Sequence, residues 1–103
     1  MNCNVDIGYY VEQCTDLERE IDDGLNTIQD TDGIERRNLI KVLESKVELV
    51  KKYVATIQME ITEISDEDDQ ERYNEEYEKH NNEINNLEEQ VKSAGKMAQI
   101  QEK

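Results

Sequence analysis

At 103 residues the chain has room for one domain and not for two. Hydrophobic residues make up 35% and charged residues 37%, with no Pro, Trp or Phe and four Gly. That composition excludes a thick spherical core and a turn-rich β fold, and the net charge of −14 excludes attraction of nucleic acid or anionic lipid through the bulk field. What remains is a thin, linear core, which helices build from about three apolar positions in seven.

The first predicted element runs from about residue 5 to 29. Tyr10, Cys14, Leu17, Ile21, Leu25 and Ile28 follow one another at steps of three and four, the spacing that keeps side chains on one face of an α-helix. Gly24 interrupts this face at about 1 kcal/mol relative to Ala, which predicts fraying of the last turns, and Gly8 leaves the residues before Tyr9 unassigned. Tyr9 falls off the seam, free to face a partner. Cys3 and Cys14 are the two cysteines. They lie near one end, with no signal peptide ahead of them and no Asn-x-Ser/Thr site in the chain, and a bridge between them would close only a short segment. Free thiols in a reducing compartment are expected.

Asp30-Thr31-Asp32-Gly33 reads as a turn, with Asp32 placed to cap the next helix and Glu35 completing an approximate capping box. A calcium-loop reading fails: aligning Gly33 with the invariant glycine puts Ile28 and Leu39 at the first and twelfth ligand positions, where carboxylates are needed.

The middle helix, about 34–64, has the clearest pattern in the chain. Ile40, Leu43, Val47, Val50, Val54, Ile57, Ile61 and Ile64 alternate steps of three and four without a miss, as in a helix packed along its length against others. A second, partial line of Leu39, Val42, Leu49 and Tyr53 widens the apolar surface, as a helix with two neighbours requires. From Ile34 to Lys52 three Glu stand against six Lys and Arg, a local excess of positive charge.

Ser65 to Asp69 forms the second turn. Ser65 or Asp66 is placed to cap the third helix, and the acidic run that follows suits a helix start, where the macrodipole favours negative charge. These carboxylates are consecutive with no ligand placed from elsewhere, so they are read as a helix start and not as a metal site. The third helix, about 67–95, carries Tyr73, Tyr77, His80, Ile84, Leu87, Val91, Ala94 and Ala98 at steps of three and four. From Glu60 to Gln90 there are 13 acidic residues against Arg72 and Lys79, a solvated coat. Residues 96–103, beyond Gly95, read as the start of a linker.

Short turns between long helices make neighbours antiparallel. The predicted fold is therefore all-α: an antiparallel three-helix bundle over residues 1–95 with left-handed, coiled-coil-like packing and helices roughly 40 Å long. Its basic middle-helix start (Arg36, Arg37, Lys41) would lie beside Asp22 and Asp23 of the first helix and Glu88 and Glu89 of the third, setting register at about 0 to 1 kcal/mol per exposed pair. No apolar run approaches the roughly 18 residues of a membrane span, and the segment reads as soluble and cytosolic.

Residues for chemistry are missing. There is one His, no cysteine pair at metal-ligand spacing and no Gly-rich phosphate loop after a strand. No enzyme, cofactor, metal or catalytic residue is predicted. His80 falls on the core seam between Tyr77 and Ile84, and reads as a boundary histidine whose nitrogen reaches solvent or a hydroxyl; the functional counter-reading is a pH-sensitive latch. On the boundary reading His80→Tyr should leave the melting temperature unchanged or raise it.

Three stretches carry a family resemblance. Tyr9-Tyr10-Val11-Glu12 with Leu17-Glu18-Arg19-Glu20-Ile21 is similar to the opening helix of the VTI proteins (vesicle transport through interaction with t-SNAREs), which are Qb-type SNAREs. Glu35 to Glu44 resembles that family's charged entry into its second helix. Ile57 to Ile64, then Tyr73, Tyr77, Ile84, Leu87 and Val91, resembles its second turn and third helix. The likeness spans about Tyr9 to Ala94. It departs where the family often has prolines in the second turn, here Ser65 to Asp69, and where it tends to have an aromatic, here His80. The resemblance implies an Habc-like N-terminal domain on the cytosolic face of Golgi or endosomal membranes, followed in the full-length protein by a SNARE motif and a C-terminal anchor. It implies protein partners, among them ENTH-type adaptors and other SNAREs, on a fragment that is monomeric and makes no direct membrane contact. No short motif marks the docking residues. The alternative from another class is a free-standing structural bundle, spectrin-like or self-associating.

Overall fold

Each run of three-and-four spacing is one helix in the computed structural model, which describes residues 3–101 and the side chains of 6–97. α1 spans Cys3–Ile28, α2 Gly33–Ile61 and α3 Glu67–Gln101. All three touch one another, and the rod they form measures 56 × 18 × 17 Å. Cross-helix pairs establish the directions. Lys46 meets Glu20 at 3.2 Å and Lys51 meets Glu88 at 2.9 Å, so α2 is antiparallel to both neighbours. The chain is an all-α three-helix bundle.

The core is a single column of side chains along the rod. From α2 it takes Ile40, Leu43, Val47, Val50, Val54, Ile57 and Ile61, every one buried. Ile7, Cys14, Ile21 and Ile28 enter from α1, and His80, Ile84, Leu87 and Val91 from α3. Tyr10, Leu17, Leu25, Ile64, Tyr73, Tyr77 and Ala94 are half-buried and pack against it. The tyrosines at its edge suit that position because the ring is apolar and the hydroxyl needs a partner or water. Ala98 and Cys3 lie outside the described side chains.

Four local features depart from the sequence reading. α1 passes through Gly8 without a break, and Ile7 is fully buried; continuing the seam back three residues from Tyr10 reaches it. The second apolar line on α2 is not covered along its length. Leu39 and Tyr53 are half-buried, whereas Val42 and Leu49 stay 48% and 40% exposed, because both neighbours of α2 close on its main line. α2 leaves the regular helix at Ile61, three residues before Ile64. The amides of Thr62, Glu63 and Ile64 bond three residues back, to Met59, Glu60 and Ile61, the tightened turn common at helix ends. Last, α3 continues through Gly95 to Gln101, where a linker was expected from 96. One Gly costs a helix only about 1 kcal/mol, and the Lys-Met-Ala that follows favours helix.

The ends of the helices are satisfied from both sides. Ile28 O accepts the Thr31 amide (3.1 Å), the Thr31 hydroxyl (2.8 Å) and Arg36 Nη2 (3.1 Å), which answers the unpaired carbonyl of a helix terminus. Asp66, not Ser65, caps α3: its Oδ1 accepts the amides of Asp68 at 2.9 Å and Asp69 at 3.0 Å. Gln70 Nε2 reaches back to Ile61 O at 3.3 Å, tying the start of α3 to the end of α2. Asp32 occupies the N-cap position of α2, but its side chain makes no capping bond. The next residue, Gly33, has φ of 58°, and this left-handed step turns the chain between the cap and the first regular turn.

Gly24 is a packing residue. A Cβ built there runs into a methyl of Leu43, itself 1% exposed, so the glycine lets α1 approach α2 closely. The expected result is a reversal of sign with background. Gly24→Ala lowers stability by about 1 kcal/mol in the wild type through overpacking, whereas in Leu43→Ala it raises stability by about 0.5–1 kcal/mol, the helix propensity gained. Urea melts of the four variants measure this directly.

Candidate functional site

Among the described residues the one buried polar side chain of the core is His80, 2% exposed. α3 carries it onto the seam, and α1 supplies its partner. Nδ1 lies 2.8 and 3.0 Å from the two carboxylate oxygens of Glu18, whose side chain is 12% exposed. An ionised carboxylate only accepts, so Nδ1 carries the proton and donates it to Glu18. Nε2 is buried without a hydrogen-bond partner, and Glu76 Oε2 stands 3.6 Å from it. The boundary reading of His80 is corrected here: its nitrogen reaches neither water nor a hydroxyl, but a carboxylate of another helix. Sequence reasoning had no signal for Glu18, since a Glu on a helix of this composition is expected to be solvated.

Cys14 lies one turn before Glu18 and is fully buried. Burial, with the Glu18 carboxylate adding to it, pushes the thiol up to about 12. It is a free thiol, and not a nucleophile at neutral pH, since reactivity needs the thiolate. The raised value has a consequence for stability. Ionisation in the unfolded chain begins near the ordinary value of 9.0, so unfolding releases a proton above that pH. The thiol's contribution is complete below pH 9 and declines as pH rises toward 12. Between about pH 8.5 and 10.5 the wild type should lose about 2 kcal/mol more than Cys14→Ala, read from urea melts at the two pH values.

Outside the core, ion pairs lie at the surface. Its hydrogen bond to Glu88 holds Lys51 above the ordinary lysine value, and the same bond holds Glu88 below the usual carboxylate range. Arg72 lies over the Tyr73 ring, 5.0 Å from its centroid, and bonds Asp69 at 3.2 Å. Among the described residues no group of His, Cys, Asp and Glu is arranged to hold a metal ion, and no helix is long and apolar enough to cross a membrane. What the surface offers is shape and side chains for a partner. Tyr9 is 53% exposed and stacks edge-on against Tyr10, which in turn lies 5.7 Å from Tyr53. This aromatic cluster joins the start of α1 to α2 and continues toward the exposed Leu49.

A rod of three helices with a polar coat is an interaction scaffold of many possible kinds. The sequence profile of the family described as vesicle transport v-SNARE protein N-terminus matches residues 8–95. That range covers nearly all of α1, all of α2 and most of α3. The chain belongs to this family. Searches among curated proteins and among solved structures gave no match. Membership makes this v-SNARE N-terminal domain a non-catalytic module of vesicle trafficking that acts on the cytosolic side and has proteins, such as other SNAREs, as its partners.

Proposed function

We propose that this chain is the regulatory N-terminal domain of a VTI-type Qb SNARE of the endosomal and Golgi membranes, and that it docks ENTH-type adaptors that sort the SNARE into vesicles. The observation that carries the reading is the v-SNARE N-terminal match across all three helices. The resemblance of Tyr9 to Glu12, Glu35 to Glu44 and Ile57 to Ile64 to the VTI proteins supports the narrower assignment. On this reading a SNARE motif and a C-terminal membrane anchor follow in the full-length protein.

The domain is a monomer on this reading. All seven seam residues of α2 up to Ile61 are buried within one chain, whereas a structural bundle that self-associates would leave part of its seam for a second copy.

Titration of the domain with the ENTH domain of an adaptor from the same organism tests the docking function. Saturable binding with a dissociation constant in the micromolar range, on the order of −8 kcal/mol, is the expected result. Absence of binding at several hundred micromolar would remove adaptor docking from the assignment and leave the broader SNARE role standing.

A further inference from the structure

A groove of about 370 Å³ runs between the start of α2 and the end of α3. Ile40 and Val91 form its floor. Arg37 and Lys41 line one side, and Lys92 and Lys96 the other. Glu44 is the single carboxylate among the lining residues. We propose that this groove is a docking site for an acidic amphipathic peptide segment of a partner protein, with its carboxylates on Lys41, Lys92 and Lys96 and an apolar side chain on the floor. The proposal deepens the interaction-module reading by naming a surface and a partner chemistry, and it rests on that reading.

The charges of the groove are complementary to an acidic peptide. The chain carries 26 acidic residues and only 12 Lys and Arg, yet four of those cations converge on one groove. Each side contributes a like-charged pair at i,i+4, an arrangement that destabilises a helix by a few tenths of a kcal/mol. Elsewhere on α2, Lys46 reaches Glu20 on α1 and Lys51 reaches Glu88 on α3. Lys41 and Lys96 form no such ion pair among the described residues, and the Glu88 carboxylate one turn before Lys92, which feels the Lys92 charge, has its hydrogen bond with Lys51. A positive field held against low-dielectric walls favours an anionic ligand.

Gly95 favours the same occupant. It lies inside α3, where glycine costs about 1 kcal/mol relative to Ala, and close packing does not require it. A Cβ there would meet Ile40 Cγ2 at 3.8 Å, an ordinary contact. What the missing side chain does is keep the floor of the groove open.

A peptide fits these features better than a membrane surface does. The cations flank a groove with an apolar floor, and the strongly acidic coat of the rest of the chain would be repelled by an anionic bilayer.

The test is an isotope-edited NMR titration of the 103-residue chain with a synthetic helical peptide of about 14 residues, glutamates at i,i+4 flanking one leucine. A charge-reversed lysine peptide and anionic phosphatidylserine vesicles run in parallel. The expected result is a set of amide shifts centred on Ile40, Lys41, Val91 and Gly95. The expected dissociation constant is on the order of 100 µM at low salt and several-fold weaker near physiological ionic strength. Lys41→Glu combined with Lys92→Glu should weaken binding tenfold or more with the melting temperature retained. Gly95→Leu should weaken it while leaving the melt unchanged or higher. No shifts at about 1 mM peptide, shifts outside the groove, or equal shifts with the lysine peptide or the vesicles would overturn the proposal. An ENTH domain that still binds Lys41→Glu/Lys92→Glu while the peptide binds nothing sinks the groove alone. Peptide binding without ENTH binding sinks adaptor docking alone.

Discussion

Val50→Asp is expected to unfold the domain at physiological temperature, or to lower its melting temperature by about 15–30 °C. Val50 is fully buried at the middle of α2, in the helix that both neighbours pack against. An aspartate there must be charged without a partner or protonated at a cost. Uncompensated buried charges in proteins cost on the order of 3–5 kcal/mol, a large share of the 5–15 kcal/mol that holds a domain together. For a domain near 100 residues each kcal/mol moves the melt by about 4–8 °C. Val42→Asp is the matched control. It lies on the same helix, but is 48% exposed, so its effect should fall within about 0.5 kcal/mol. Thermal melts followed by circular dichroism separate the two. Equal melts for Val50→Asp and wild type would mean that the face of α2 turned to the core is misassigned.

The second large effect is expected at His80. His80→Ala removes a ring that fills the seam and deprives the Glu18 carboxylate of its hydrogen bond, so a loss of about 2–4 kcal/mol follows. The double variant with Glu18→Ala should lose less than the sum of the single variants, leaving a coupling of about 1–3 kcal/mol. Glu18→Gln keeps a hydrogen-bond acceptor at the same place and should cost about 1 kcal/mol. His80→Tyr, which a boundary position would tolerate, is expected to destabilise, because a larger ring must enter a site where His80 is only 2% exposed and Glu18 lies 2.8 Å from Nδ1. Additive losses in the His80/Glu18 cycle would show that the two residues do not act as a pair. A second readout is amide exchange near the contact between α1 and α3, which should quicken in His80→Ala more than elsewhere in the bundle.

The number of helices, their type and most of their buried faces were legible in the chain itself. The seven steps from Ile40 to Ile64 needed nothing but periodicity, since a helix with one apolar face is stable only when that face is covered. The short polar turns read at 30–33 and 65–69 then leave antiparallel packing as the available solution. Two of the misses, Ile7 and the helical continuation past Gly95, came from treating a glycine as a break when it is only a local cost of about 1 kcal/mol. Both lie on extensions of a three-and-four pattern already present.

The candidate sites were legible to a smaller degree. Glu18 and His80 are 62 residues apart in the chain, and no local pattern links a glutamate on one helix with a histidine on another. Gly24 looked like a weak point in α1 until Leu43 was brought against it. Arg37 and Lys41 stood out in sequence only as a basic helix start and Lys92 and Lys96 not at all, and the four become one basic groove only where the antiparallel turn lays the end of α3 beside the start of α2. Periodicity along a helix determines which face is buried, and that is a property of neighbours three and four residues apart. Which partner each buried or grooved side chain meets depends on the register between helices, and that was decided only when the three of them packed together.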